Sequence, residues 1–314
     1  MYWSISSGWI CLNAPMRLSD LSLPELEARL SNGMGLVTGP FRFHITSRQK
    51  RVVEGLHSLY ADFELGDFDY ADFHVRLAHP RGIRRWLRPQ IFFWLDDFSP
   101  FKPLPADHDF AQLEWGMNWC IAGHAHHYLM LHAAVLEKNG QAVILPGDPG
   151  AGKSTLTALL ALSGWRLLSD EIALIDRDDG LVVPLARPVS LKNASIEVVR
   201  AFAPHAVIGA AARDTHKGTV AHLKPPGDSV ARMHEKAEPR HIVFPRWRAD
   251  AAAASSPHAK ADAFIHAASH AFNYSLLGEL GFKLTDQLLD RCDCRDFEYS
   301  RLSDALAFFE DMVA

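Results

Sequence analysis

Residues Gly147 to Ser154 read GDPGAGKS and satisfy the pattern G-x-x-x-x-G-K-[ST] in full. That spacing has a chemical reason. The glycines let the backbone curl so that successive N–H groups converge on phosphate oxygens; a lysine reaches the β- and γ-phosphates, and a serine hydroxyl ligates Mg²⁺. Gly147, Asp148, Pro149, Gly150, Ala151 and Gly152 are therefore expected to form a phosphate loop (P-loop). Lys153, Ser154 and Thr155 then open a helix whose positive dipole end faces the anion. ATP with Mg²⁺ is the cofactor this implies.

Such a loop needs a further acid to hold Mg²⁺ or to orient the attacking group. The first acids after the loop helix are Asp170 and Glu171, at the end of the apolar run WRLL. One carboxylate can bind metal while the other accepts the acceptor's proton. Neighbouring side chains on a strand face opposite ways, so a bulge or strand end has to bring both to the site. His132 lies in the strand paired with the loop strand, and reads equally as a packed strand residue or a site residue. His124, His126 and His127, at i, i+2 and i+3, do not place three ligands on one helix face. Lys192, Lys217 and Arg246 are cations that could stabilise the charge of a transferred phosphate, although exposed Lys and Arg are common everywhere.

The elements that must position these groups are legible around the loop. Leu131–Glu137 reads as a strand, Asn139-Gly140 as a type I′ hairpin turn, and Gln141–Leu145 as the returning strand. Ser154–Ser163 reads as a helix closed by Gly164. Trp165–Leu168 and Ile172–Ile175 are strands, Asp176–Gly180 a turn and Leu181–Leu185 its return. Upstream, Leu21–Leu30 suggests a helix with Pro24 in its first turn. Phe41–Ile45 and Arg51–Leu59 suggest strands, and Phe68, Tyr70, Phe73, Val75 and Leu77 continue the alternation. Phe98–Pro105 reads as a linker, Phe110–Met130 as helical, and Ala249–Ala263 as an Ala-rich loop or surface helix. The fold class expected is α/β, a P-loop domain with a bent mixed sheet over residues 126–314, preceded by a smaller α+β region over 1–125.

At 314 residues the chain has room for two domains, or for one large α/β domain with an appendage. Its 48% hydrophobic and 22% charged content is that of a globular protein, and a net charge of −5 offers no field for nucleic acid or an anionic membrane. No run of about 18 apolar residues suggests a membrane span, and Met1–Arg17 lacks the basic start of a secretory signal. Cys11, Cys120, Cys292 and Cys294 read as reduced thiols, which points to the cytoplasm.

The order of these features resembles the HPr kinase/phosphorylase family, whose nucleotide domain is similar to that of PEP carboxykinase. The stretches that carry the resemblance are LHAAVLEKNGQAVILPGDPGAGKST and SGWRLLSDEIALID. Where the family has Asp-Asp, this chain has Asp170-Glu171. IEVVR resembles the segment whose Glu helps ligate Mg²⁺, which nominates Glu197; SLKN and DTHKGT resemble a subgroup of HPr kinase-related kinases. The resemblance implies a kinase that transfers the γ-phosphoryl group of ATP to a Ser of a peptide or protein other than HPr. It makes Asp170 the base, Ser154, Glu171 and Glu197 the metal side, and His132 a support for the acid pair. It also implies a homo-oligomer. The alternatives are a P-loop ATPase or nucleotide-dependent switch, and a small-molecule kinase. Residues 1–125 do not resemble the family. Their Arg84, Arg85, Trp86, Phe92, Phe93 and Trp94 could anchor an acceptor or form that region's own core.

Overall fold

The computed structural model describes residues 16–67, 69–80, 89–147 and 152–314. Expectations placed on the chain start and Cys11, on Phe68, on Arg84, Arg85 and Trp86, and on Asp148, Pro149, Gly150 and Ala151 lie outside the described residues.

Ser22 sets the first helix, α1 (Leu23–Asn32): its N–H donates to the Glu25 carboxylate at 2.8 Å, and Pro24 occupies the first turn. β1 (Met34–Thr38) and β2 (Phe41–Ser47) follow. Arg51–Leu59, expected as a strand, is instead helix α2 (Lys50–Leu59). Val52, Val53, Leu56 and Leu59 are buried at a spacing of 3.6, and that one-sided burial overrides the β preference of the paired valines. β3 (Phe73–Ala78), β4 (Gln90–Leu95) and β5 (Leu104–Pro105) complete a sheet of order β1-β2-β3-β4-β5, in which β2 and β3 run parallel and the other pairs antiparallel. Phe93 is buried in its core, while Phe92 and Trp94 share the opposite face, Trp94 lying 5.0 Å below the Arg76 guanidinium. The segment expected as a linker is anchored, with Leu104–Pro105 in the sheet and Phe101 against Phe93 and Trp119.

α3 (Asp109–His124) ends six residues before the expected limit, because β6 (Tyr128–Leu131) begins there. The expected strand Leu131–Glu137 is split at His132: β6 joins one sheet and β7 (Ala133–Lys138) another. β7 turns through Asn139 and Gly140, both at positive φ (53° and 78°), into β8 (Gln141–Pro146). Then come α4 (Lys153–Leu162), β9 (Arg166–Ser169), β10 (Ala173–Asp176), β11 (Val182–Val183), β12 (Val189–Lys192), α5 (Ala194–Phe202), β13 (Ala212–Thr215), β14 (Gly218–Leu223) and α6 (Gly227–Ala231). The chain closes with β15 (Glu238–Trp247), β16 (Ala254–Pro257), α7 (Lys260–His270), α8 (Tyr274–Leu277), α9 (Glu279–Arg291), β17 (Asp293–Tyr299) and α10 (Leu302–Met312). The Ala-rich stretch thus supplies an edge strand, β16, paired antiparallel to β17, before α7 begins.

The fold is mixed α/β with several sheets. The central one has the order β16-β17-β15-β8-β7-β9; β17, β15 and β8 are parallel, and the β7–β8 hairpin flanks them. Both its faces are covered, which explains why its strands read as near-continuous apolar runs. Alternate residues sort to two cores. Ala134, Leu136, Val143 and Leu145 meet α4, α10 and the β12-β14-β13 sheet. Ala133, Val135, Ala142 and Ile144 meet α7, α9 and the β11-β10-β6 sheet. The third core, built on α1, α2, α3 and the first sheet, continues past residue 125 into Met130, Leu174, Val183, Leu185 and Met233. Cys120, Cys292 and Cys294 are free thiols within these cores, and burial pushes Cys292 up to about 12. Among the described residues no helix is long and apolar enough to cross a membrane.

Candidate functional site

Lys153 is the first residue of α4, directly after Gly152, whose φ of 86° lets the chain turn into the helix. The N–H groups of this first turn have no partners within the helix, so a positive end is presented where Ser154 and Thr155 stand half-buried. Lys153 is 8% exposed, and among the described residues its ammonium has no hydrogen-bond partner. Burial depresses its pKa, and the nearby charges of Asp170 and Glu171 oppose that shift.

The acids stand at a strand end. β9 stops at Ser169, whose hydroxyl accepts the N–H of Ile172 at 3.1 Å and so tightens the turn holding both acids. Asp170 is buried, and the backbone N–H of Ser190 at the start of β12 donates to its Oδ2 at 2.9 Å. Its Oδ1 is buried with no hydrogen-bond partner among the described residues. Burial and the neighbouring Glu171 charge raise its pKa to about 6, against the pull of Lys153. Glu171 takes the opposite course. Burial works against its charge, but the His132 hydrogen bond together with Lys192, His132 and Lys153 holds it at about 2. Two adjacent carboxyls thus have affinities pushed apart, the pattern expected when one handles protons and the other stays charged.

His132 reaches this pair because of the split strand. At the break between β6 and β7 its Nε2 lies 3.4 Å from Glu171 Oε1, while its backbone N–H donates to the His270 carbonyl at 3.0 Å. The segments SLKN and DTHKGT also interlock: the Asn193 amide donates to the Lys217 carbonyl, and its oxygen accepts the N–H of Thr219 at 3.0 Å. Lys192 thereby enters the field of Lys153 and both acids, and Lys217 reaches the rim of the cleft beside them.

That cleft spans about 470 Å³ including its open mouth, and Asp170, Glu171, Ser190, Trp115, Asn118 and His222 are among the residues that line it. Glu114 and Arg187, which also line it, belong to a buried network. Arg187 donates to Glu114 at 2.6 Å and Asn118 at 2.6 Å, and Tyr60 donates to Glu114 at 2.7 Å. The sequence reading missed these residues. The signal available was a lone acid in the apolar helix run FAQLEWGM and a lone Arg in VVPLARPV, since a buried charge needs a partner.

His132, Gly152, Lys153, Asp170, Glu171 and Lys192 are brought together. Glu197 and Arg246 are not among these contacts: Glu197 is exposed on α5 and paired with Arg200 at 2.8 Å, and Arg246 is exposed at the end of β15. His124 is tied to the Cys120 carbonyl and packs against Phe73 and Trp119, and His127 lies against Tyr128. Among the described residues no three His, Cys, Asp or Glu side chains are grouped to hold a metal by themselves. Mg²⁺, however, usually takes one or two carboxylates and completes its shell with phosphate oxygens and water, a demand that Ser154 and the acid pair fit.

No protein-family model matches the chain, and no curated protein is significantly similar to it.

Proposed function

We propose that the chain is an ATP-dependent phosphotransferase, built on a P-loop, that phosphorylates a Ser hydroxyl of a peptide or protein. The observation that carries this reading is the Lys153 ammonium, buried at a helix N-terminus beside two carboxylates and without a hydrogen-bond partner among the described residues. A buried cation without a partner is costly, and polyphosphate oxygens would satisfy it.

ATP would supply the phosphoryl group, and Mg²⁺ held by Ser154 and Glu171 would neutralise charge as it transfers. The chain's own residues do the rest. Lys153, with the first turn of α4, binds and orients the phosphates. Asp170, which lines the cleft, takes the acceptor's proton. With a pKa of about 6 it is ionised at neutral pH yet basic enough to help. His132 holds Glu171 in place. Lys192 and Lys217 add positive charge on the acceptor side. Buried free thiols support the cytoplasm as the compartment, and the resemblance to HPr kinases supports a homo-oligomer.

The test is a comparison of phosphoproteomes from cells carrying the wild-type chain or Asp170→Asn. Loss of one or a few phosphoserines in the variant is expected. Identical phosphoproteomes, with rapid phosphate release from ATP by the purified protein without acceptor, would make it an ATPase instead.

A further inference from the structure

We propose that Trp247 is a stacking platform for the base of the nucleotide, an inference that rests on the nucleotide-binding reading above. Trp247 ends β15 and leaves about half its surface (51%) in solvent, an unusual state for the largest apolar side chain. It is nevertheless held in place. The indole N–H donates to the Ser300 carbonyl at 3.0 Å, which fixes the ring at the junction of β15 and β17. It also abuts the phosphate end of the site: a Cβ added to Gly152 would lie 3.2 Å from the Trp247 Cβ and 3.2 Å from the Tyr299 hydroxyl.

The topology gives this position a direction. Across the central sheet the order is β17, β15, β8, β7, β9, and β9 runs parallel to β8 because each is antiparallel to β7. The C-terminal ends of β15, β8 and β9 therefore share one edge, the usual place for ligands on such sheets. Lys153 follows β8 in the middle, the acids lie on the β9 flank, and Trp247 lies on the β15 flank. A triphosphate gripped by Lys153 with its terminal phosphate at the acids must send its nucleoside the other way, over β15. There a rigid, half-exposed indole offers a π-face to a planar base. Because every base has a π-face, such a platform contributes affinity without choosing among bases.

Calorimetry with Mg²⁺ separates base from phosphates. Trp247→Ala should weaken ATP and GTP by about ten- to a hundredfold, the usual effect of losing a stacked aromatic. It should leave tripolyphosphate, which has no base, bound as in the wild type, and Trp247→Phe should retain most of the ATP affinity. In the unmodified protein ribose 5-triphosphate should bind more weakly than ATP, a comparison that needs no variant to fold. Equal binding of those two, an equal loss of ATP and tripolyphosphate in Trp247→Ala, or no loss of either would overturn the proposal. A wild-type protein that binds none of these ligands would instead overturn the nucleotide reading beneath it.

Discussion

Asp170 should cost the free protein stability, and replacing it should reveal how much. Its carboxyl ionises at about 6 in the folded chain, against an ordinary 3.8, because burial and Glu171 disfavour the charge. For an acid whose pKa is raised on folding, the folded state holds the proton more tightly than the unfolded one. The penalty is absent below about pH 3.8, grows as pH rises, and is complete above about pH 6. At 1.36 kcal/mol per pH unit, that interval corresponds to at most about 3 kcal/mol at pH 7. Asn mimics the protonated carboxyl, and its amide oxygen can keep the bond from the Ser190 N–H. Asp170→Asn should therefore raise the unfolding free energy by up to about 3 kcal/mol at pH 7 and by only about half a kcal/mol near pH 4. Denaturant unfolding of both proteins across pH 4–8 measures the gap. Because Glu171 stays ionised throughout that range and surrounds both proteins alike, the difference isolates Asp170. A variant no more stable than wild type at pH 7, or a gap that does not narrow on acidification, would refute the reasoning.

Glu114→Gln should be the more damaging change, although it lies farther from the proposed chemistry. It leaves the buried Arg187 guanidinium without its counter-charge, which costs about 3–5 kcal/mol, read by denaturant unfolding; a loss under about 1 kcal/mol would contradict the role given to the pair. Gly152→Ala should lower nucleotide affinity by tenfold or more, since its left-handed backbone disfavours a Cβ that would press on Trp247 and Tyr299. Calorimetry with Mg·ATP checks this, and wild-type affinity would show that the turn tolerates a side chain.

The most legible parts of the fold were those whose structure is decided locally. The runs Ala133–Pro146 and Gly152–Leu162 were readable because Asn139-Gly140 fixes a hairpin, Gly152 fixes a helix entry, and a strand long enough to be buried on both faces is apolar throughout. Asp170 and Glu171 were found from their place after an apolar strand, but not their contrast. That depends on Ser190, Lys192 and His132, which are close only in the folded chain. The corner at His132 was hidden because LHAAVLE reads as one strand, and only pairing with β10 on one side and β8 on the other divides it. Glu114 and Arg187 each stand out as a lone charge in an apolar run, but their pairing across 73 positions, like edge strand β16, is a product of distant contacts that no local pattern encodes. α2 departs from its local signal for a different reason: Val52 and Val53 favour strands individually, while the spacing of all four apolar residues favours a helix.

The central claim is that Lys153 holds the phosphates of a nucleotide while Asp170 takes a proton, and one titration series addresses it directly. Mg·ATP binding is measured by calorimetry for the wild type, Lys153→Ala and Asp170→Asn. Binding should persist in the wild type and in Asp170→Asn and fall below detection in Lys153→Ala. Unchanged affinity in Lys153→Ala would contradict the account.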